Sequence, residues 1–378
     1  MRRTLVLLLV CALVLCSTAM ADILFSIPRA TPTPAPAPAP SPTPEVAAAP
    51  IPAAGVEILI TAAGDVTLGA NMKTNPSSTI YTRALEAHGG NLGYFFANVQ
   101  PYFAYDDLTL INFEGVLTNI ERPYKDNEFL FRAPPSHVQA LTLSSVEAVA
   151  LENNHVMDFG PDGLADTIQM LDSQGIVYAQ DGHLGVYETK GVRIGLLAYQ
   201  TFNGQYPRLH EQVPLDIAAA KETCDLVIVS YHWGAELDYY PNDNQIELGR
   251  ATVDAGADLV LGHHSHRINP IEYYNGAYIV YSLSNCAFSG NSKPSDMDTF
   301  LFQQKFTIAQ GEATGGAFRI IPCSISSISG ATGAKSAEND FAVTPFPSDT
   351  PGYQRVIDTM LSNGRRLDYA VDSYPTDW

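Results

Sequence analysis

Basic residues are scarce in this chain of 378: 21 Lys and Arg stand against 40 Asp and Glu, for a formal net charge of -19. A field of that sign disfavours nucleic acid and anionic lipid as partners, and it would not gather a polyanionic substrate except where a metal's charge dominates locally. Cysteine is scarce too. Of the five, Cys11 and Cys16 fall in an N-terminal apolar run, and the others, Cys224, Cys286 and Cys323, are odd in number without framework spacing. That pattern argues against a disulfide scaffold and excludes zinc fingers; at most one bridge can form, and three buried thiols are the expectation. No internal repeat is present, and long apolar runs occur only at the start. Charged residues make up 16% against 46% hydrophobic, so the chain holds ample material for a buried sheet in one large domain or two small ones.

The apolar run has the three parts of a secretory signal: basic Arg2-Arg3, an apolar stretch over 4–15, and the small-residue ending Ala19-Met20-Ala21. The expectation is an exported protein whose signal peptide, 1–21, is either cleaved after Ala21 or retained as an anchor. Cleavage is favoured because the run falls short of the roughly 20 residues of a spanning helix. Bulky Leu15 weighs against a lipoprotein site at Cys16. Cleavage would remove both arginines and leave 19 basic residues against 40 acidic ones, a net charge of -21. Residues 22–55 read as a disordered Pro/Ala-rich linker, with a proline at nearly every second position over 32–44, an extended polyproline spacer.

From Glu57 onward, short apolar runs alternate with helical patterns, which predicts an α/β architecture with buried strands. Strands are predicted at 58–63, 108–112, 192–198, 226–230 and 259–261, and helices at 163–171 and 246–253. After residue 270 the pattern turns to hairpins, with β candidates at 277–283, 300–306 and 317–321, so the later sheet should be more antiparallel. One domain is expected over 56–327, followed by a loop-rich C-terminal extension, 328–378, with a closing helix at 353–361.

Polar groups collect just past the buried strands, where an open α/β sheet places its ligands. Five segments do this: 64–69 with Asp65, 112–115 with Glu114, 152–160 with Asn154, His155 and Asp158, 231–236 with His232, Trp233 and Glu236, and 262–266 with His263, His264 and His266. A single Asp after a strand more often caps a helix or shapes a turn, and a single buried His is commonly a hydrogen-bonded core residue. Three imidazoles within four residues are hard to explain as packing, and alternation in an extended segment would point His264 and His266 to one side. Carboxylates and imidazoles together suit a divalent ion, zinc, manganese or iron, in one or two sites. A two-metal centre would use Asp65 or Glu114 as a bridge, Asn154 as a neutral amide oxygen, and His232, His264 and His266 in the remaining positions.

Six motifs in order, GDVTLG at 64–69, NFEG at 112–115, NNHVMDFG at 153–160, YHWGAE at 231–236, GHHSH at 262–266 and YSLSN at 281–285, resemble the capsule synthesis protein CapA family. That family is associated with poly-γ-glutamate capsule formation and related to the calcineurin-like metallophosphoesterases. The resemblance implies a metallophosphatase-like four-layer α/β/β/α sandwich with two central mixed β-sheets. It implies Asp65, Glu114, Asn154, His232, His264 and His266 as metal ligands and His155 as the acid that protonates a leaving group. Two departures stand out: the Asp-x-His of ordinary phosphoesterases is here Asp65-Val66-Thr67, one ligand fewer, and Glu114 stands where Asp is usual. Thr67, Ser284 and Cys286 also stand where Met, Gly and Phe are more usual in the family.

Four further residues carry paired expectations. Asp158 either orients the His155 imidazole or starts a helix before Pro161, and Glu236 either assists a water or substrate amine or is a plain loop carboxylate. Trp233 either packs beside the site or walls the substrate, and His263 is expected to turn away from its neighbours and serve structure. The functional expectation is an exported, cell-envelope protein of capsule or poly-γ-glutamate biosynthesis with a metal-dependent hydrolase-type site. Its substrate would be a phosphoester or an acidic envelope polymer, and nucleic acid is not an expected partner. The alternative is a non-catalytic polymer-binding or scaffold subunit of a membrane-associated synthesis complex.

Overall fold

The computed structural model of the protein describes residues 55–73, 79–291, 293–333 and 339–378. The expected signal peptide and all of the expected linker except Gly55 lie outside the described residues. Internal contacts divide the chain into Met1–Ala47 and Ala48–Trp378, and every described residue belongs to the second unit. No helix among the described residues is long and apolar enough to cross a membrane.

Two mixed sheets face one another. The larger runs Thr344–Pro345, Glu312–Ser324, Asp298–Ala309, Val56–Thr67, Leu108–Phe113, Ala148–Ala150 and Val177–Ala179, with Asn285–Phe288 also paired to Val56–Thr67. The smaller runs Ile271–Tyr274, Ala277–Val280, Leu259–His263, Leu226–His232, Val192–Gln200 and Gly185–Thr189. Because side chains alternate across a strand, the near-continuous apolar runs feed two faces at once. Ile58, Ile60 and Ala62 meet Leu226, Ile228 and Leu261 between the sheets. Ile111 and Val149 face outward onto Leu171 of the helix Gly160–Ser173, while Val227, Val229 and Tyr231 face outward onto two further helices, Tyr206–Lys221 and Asp243–Asp254. The result is the expected four-layer α/β/β/α sandwich.

The helix Tyr206–Lys221 was not expected, since Pro214 lies inside it. An interior proline costs about 3 kcal/mol. The stripe Leu209, Val213 and Ile217, four residues apart, is fully buried on the sheet, and at about 1.5–3 kcal/mol per side chain that burial outweighs the proline.

The later chain is antiparallel only in part. Asp298–Ala309 and Glu312–Ser324 form one long antiparallel hairpin, of which Asp298–Ala309 is also antiparallel to the first strand. Ala277–Val280 and Asn285–Phe288 instead run parallel to their partners Leu259–His263 and Val56–Thr67. Nor do residues 328–378 stand apart: Phe341 and Val343 join the core on the outer face of the larger sheet, and Phe346, Val356 and Met360 join the core between the sheets. The closing helix, Pro351–Gly364, has a Thr350 cap, and Ile320 donates its backbone N–H to Pro375 at 2.8 Å.

Candidate metal centre

The site forms where parallel strands of both sheets end at the same level. Val56–Thr67 carries Asp65, Leu108–Phe113 leads into Glu114, Ala148–Ala150 leads toward Asn154 and His155, and the smaller sheet contributes His232 and the turn after Leu259–His263. Ligating atoms of Asp65, Glu114 and His232 lie within 4.8 Å of one another. Asp65 is aimed by a local irregularity: its strand slips register against Leu108–Phe113 between Ala63 and Asp65. Gly64 permits this, because a Cβ there would lie 2.0 Å from the Ser284 carbonyl oxygen, which accepts the Asp65 N–H at 2.9 Å. Gly262 is pinned in the same way against Tyr281 O, also at 2.0 Å.

All six expected ligands converge. His232 Nε2 lies 2.8 Å from Asn154 Oδ1, 3.1 Å from His264 Nδ1 and 3.9 Å from Glu114 Oε1. His266 Nδ1 lies 3.3 Å from Asp65 Oδ2. His264 and His266 do not reach the site by strand alternation as expected. Both sit in a turn at positive φ, +91° and +53°, and the left-handed backbone folds their rings to 6.1 Å between centroids.

The electrostatics suit a cation. Burial pushes the Glu114 carboxyl well above the usual range, and the Asp65 charge adds to it. Both Glu114 oxygens are buried without a hydrogen bond, an arrangement that calls for a cationic or protonic partner. Burial would raise the Asp65 carboxyl as well, but the imidazoles of His263 and His266 facing it hold it well below its ordinary value. Burial lowers His232 far below its ordinary value and His264 to about 4, so both rings are neutral and keep the lone pairs that metal ligation requires. At His266 the pull of Asp65 and Glu114 overcomes burial and raises it to about 9.

His155 stands beside the cluster. Its Nδ1 bonds Asp158 Oδ2 at 2.8 Å, and its Nε2 lies 3.7 Å from Glu114 Oε1. Asp158 Oδ2 also accepts the Phe131 N–H at 2.8 Å, so the carboxylate orients the imidazole; the following helix begins at Gly160 with no side-chain cap. Trp233 takes the packing alternative and is no substrate wall. It is wholly buried, stacked on Tyr231 at 4.6 Å, and its Nε1 donates to Tyr281 O at 2.9 Å. Glu236 is an exposed carboxylate lining the cavity over the site. His263 does not turn away: strand pairing sets it beside His232, and its Nδ1 lies 3.4 Å from Asp65 Oδ1 with neither ring nitrogen hydrogen-bonded. Thr67 does not replace the missing histidine, because its hydroxyl accepts the Ser289 N–H at 2.7 Å.

Two further positioning residues were not singled out from the sequence. Asn112 Nδ2 donates to Asp65 Oδ1 at 2.8 Å, and Asn285 Oδ1 lies 2.8 Å from His266 Nδ1. Their signal was an Asn at the end of a buried strand in NFEG and YSLSN.

Residues 59–290, more than half of the chain, match the family described as bacterial capsule synthesis protein PGA_cap. "PGA biosynthesis protein CapA" of Bacillus subtilis is 35% identical over 214 residues, covering 51% of this chain and 56% of that protein. "Capsule biosynthesis protein CapA" of Bacillus anthracis is 29% identical over 257 residues, covering 61% of this chain and 60% of that protein. The match to these curated relatives therefore spans somewhat over half of their length. Among solved structures, the calcineurin-like phosphoesterase YfkN of Bacillus subtilis aligns over 80% of this chain and 98% of its own, at 16% identity and a TM-score of 0.41. A phosphatase from Mycoplasma pneumoniae aligns over 71% and 94%, at 14% identity and a TM-score of 0.43. The chain thus belongs to the bacterial capsule synthesis protein PGA_cap family.

Proposed function

We propose that the protein acts in capsule or polyglutamate biosynthesis at the cell envelope through a divalent-metal hydrolase-type site. The observation that carries this reading is Glu114: a buried carboxylate with two unpartnered oxygens, faced by Asp65 and His232 within ligating distance of one another. Asp65, Glu114, Asn154, His232, His264 and His266 would hold the ion or ions. A divalent ion bound there supplies Lewis acidity toward a phosphoryl or acyl bond and lowers the pKa of water toward about 7. The chain's own part is to gather these side chains in a buried setting, with the His232 and His264 rings neutral, and to present His155. Asp158 fixes the His155 ring through Nδ1, leaving Nε2 toward the cavity, where it would hand a proton to the departing oxygen or nitrogen.

The relatives' names support that role: PGA biosynthesis, capsule biosynthesis, and probable polyglutamine synthesis accessory protein for a Mycobacterium tuberculosis relative. The substrate would be an acidic envelope polymer or a phosphoester met on the outer side of the membrane, alongside a membrane synthesis complex. One observation favours the non-catalytic alternative, in which the domain only holds polymer for that complex: the hydroxyl at Thr67 is spent on the Ser289 turn, so one ion has a ligand fewer.

Metal content of purified protein decides first. Wild type should carry a divalent metal that Asp65→Ala and His264→Ala lose; unchanged content in both variants would sink the centre. Manganese-loaded protein offered a phosphodiester and a γ-glutamyl peptide then separates the readings, since loaded but inactive protein supports the polymer-holding one.

A further inference from the structure

A cavity of about 340 Å³ opens over the site, with His155, His266 and Glu236 in its lining. Phe131 and Phe288 form an apolar wall, their rings 5.6 Å apart, and Arg267 and Lys293 bring positive charge to the lining. Arg267 is the unusual member. It is 5% exposed, yet among the described residues its guanidinium pairs with no carboxylate. Its Nη1 donates to His266 O at 2.7 Å, its Nη2 donates to Ser295 Oγ, and the Tyr239 ring lies 5.6 Å away. Arg250 and Arg355, both more exposed, are each matched to an acid, Glu272 and Asp298.

A buried cation held only by neutral acceptors is costly, because carbonyl and hydroxyl dipoles replace water without neutralising the charge. In a chain with nearly twice as many acids as bases, a carboxylate partner would be the cheap local solution. Glu236 lines the same cavity but makes no ion pair with Arg267, which points to a counter-charge that arrives with a ligand. The guanidinium fork suits planar or tetrahedral oxyanions, which it can grip through two parallel hydrogen bonds. The bond to His266 O also ties Arg267 to the turn that carries two of the candidate metal ligands, which sets the anion close to the reacting centre.

We propose that Arg267 forms an anion subsite beside the metal centre, seating a carboxylate or phosphate oxyanion of the substrate next to the group presented to His155 and Glu114. This rests on the reading of the cavity as the substrate site. Calorimetric titration of chelator-treated protein with inorganic phosphate and with glutarate tests it without any bound cation. Wild type should bind at least one of them, and Arg267→Gln should bind it about tenfold more weakly or worse. Arg267→Lys should recover part of the loss, as a point charge without the fork. Tighter binding of glutarate assigns a carboxylate, and tighter binding of phosphate assigns a phosphate. Equal affinity in wild type and Arg267→Gln, or no binding of either anion to wild type, overturns the proposal. If Arg267→Gln fails to fold, wild-type protein decides: the bound anion must protect Arg267 from phenylglyoxal, read by mass spectrometry, and absence of protection overturns it. Manganese uptake is measured separately. Anion binding without uptake keeps this subsite and sinks the metal centre, and uptake without Arg267-dependent anion binding does the reverse.

Discussion

Glu114→Gln keeps the shape of the side chain and removes its charge, and the two consequences should run in opposite directions. In metal-free protein the Glu114 carboxyl is wholly buried, lies near Asp65, has no hydrogen bond to either oxygen, and is pushed well above its usual range, so at neutral pH folding either strips an ion of its hydration or forces proton uptake. Either cost exceeds that of an unsatisfied buried amide, by about 1–2 kcal/mol, so the variant should be the more stable apoprotein at neutral pH. At roughly 2–4 °C per kcal/mol for a large domain, the melting temperature after chelation should rise by about 2–8 °C. With metal present the order should invert, because the variant has lost an anionic ligand and gains less from mass action. Scanning calorimetry with and without manganese, together with elemental analysis, reads both signs. A chelated variant that melts below wild type would show that Glu114 has an internal partner, and one that retains wild-type metal content would show that it is no ligand.

Other outcomes follow from the same geometry. His155→Ala should lower turnover of a phosphodiester by roughly 10²–10⁴ with metal content unchanged, and Asp158→Asn should lower it less; equal loss of metal in either would place His155 among the ligands instead. Gly64→Ala drives a methyl into the Ser284 carbonyl and should reduce both thermal stability and metal content, whereas wild-type values for both would show that the strand can shift freely. Asp106 offers a pH test away from the site: burial, helped by Glu147 and Asp107, raises its carboxyl to about 8. The folded chain then keeps a proton that the unfolded chain releases, so this group's contribution to stability falls as pH rises from the ordinary carboxylate range toward about 8. Asp106→Asn should therefore gain more over wild type in urea melts at pH 8 than at pH 5, and an equal difference at both would refute the assignment.

Much of the site was legible because its chemistry is written in residue types that packing does not explain. Carboxylates, an amide and imidazoles at five strand ends named the six residues that converge, and the apolar runs before them named the strands. The helix Tyr206–Lys221 was hidden by Pro214, whose penalty is a local property while the compensating burial against the smaller sheet is not. Trp233 could not be placed from its neighbours, since it lies one residue past the strand Leu226–His232 and is held by Tyr231 and the Tyr281 carbonyl. His263, paired with His232 across the strands, meets Asp65 from the other sheet.

The sequence alone determined the α/β alternation, the family and the chemical character of the centre, because periodicity and residue type are local and survive without coordinates. Only the tertiary structure decided which side chains share a charge. The parallel pairing of Asn285 with Asp65, the left-handed turn at His264 and His266, and the burial of Arg267 without an acid each depend on segments far apart in the chain meeting at one depth. Solvation and Coulomb energy follow distance and burial rather than order along the chain, so the directions in which these carboxyls and imidazoles shift follow from the packing of the two sheets.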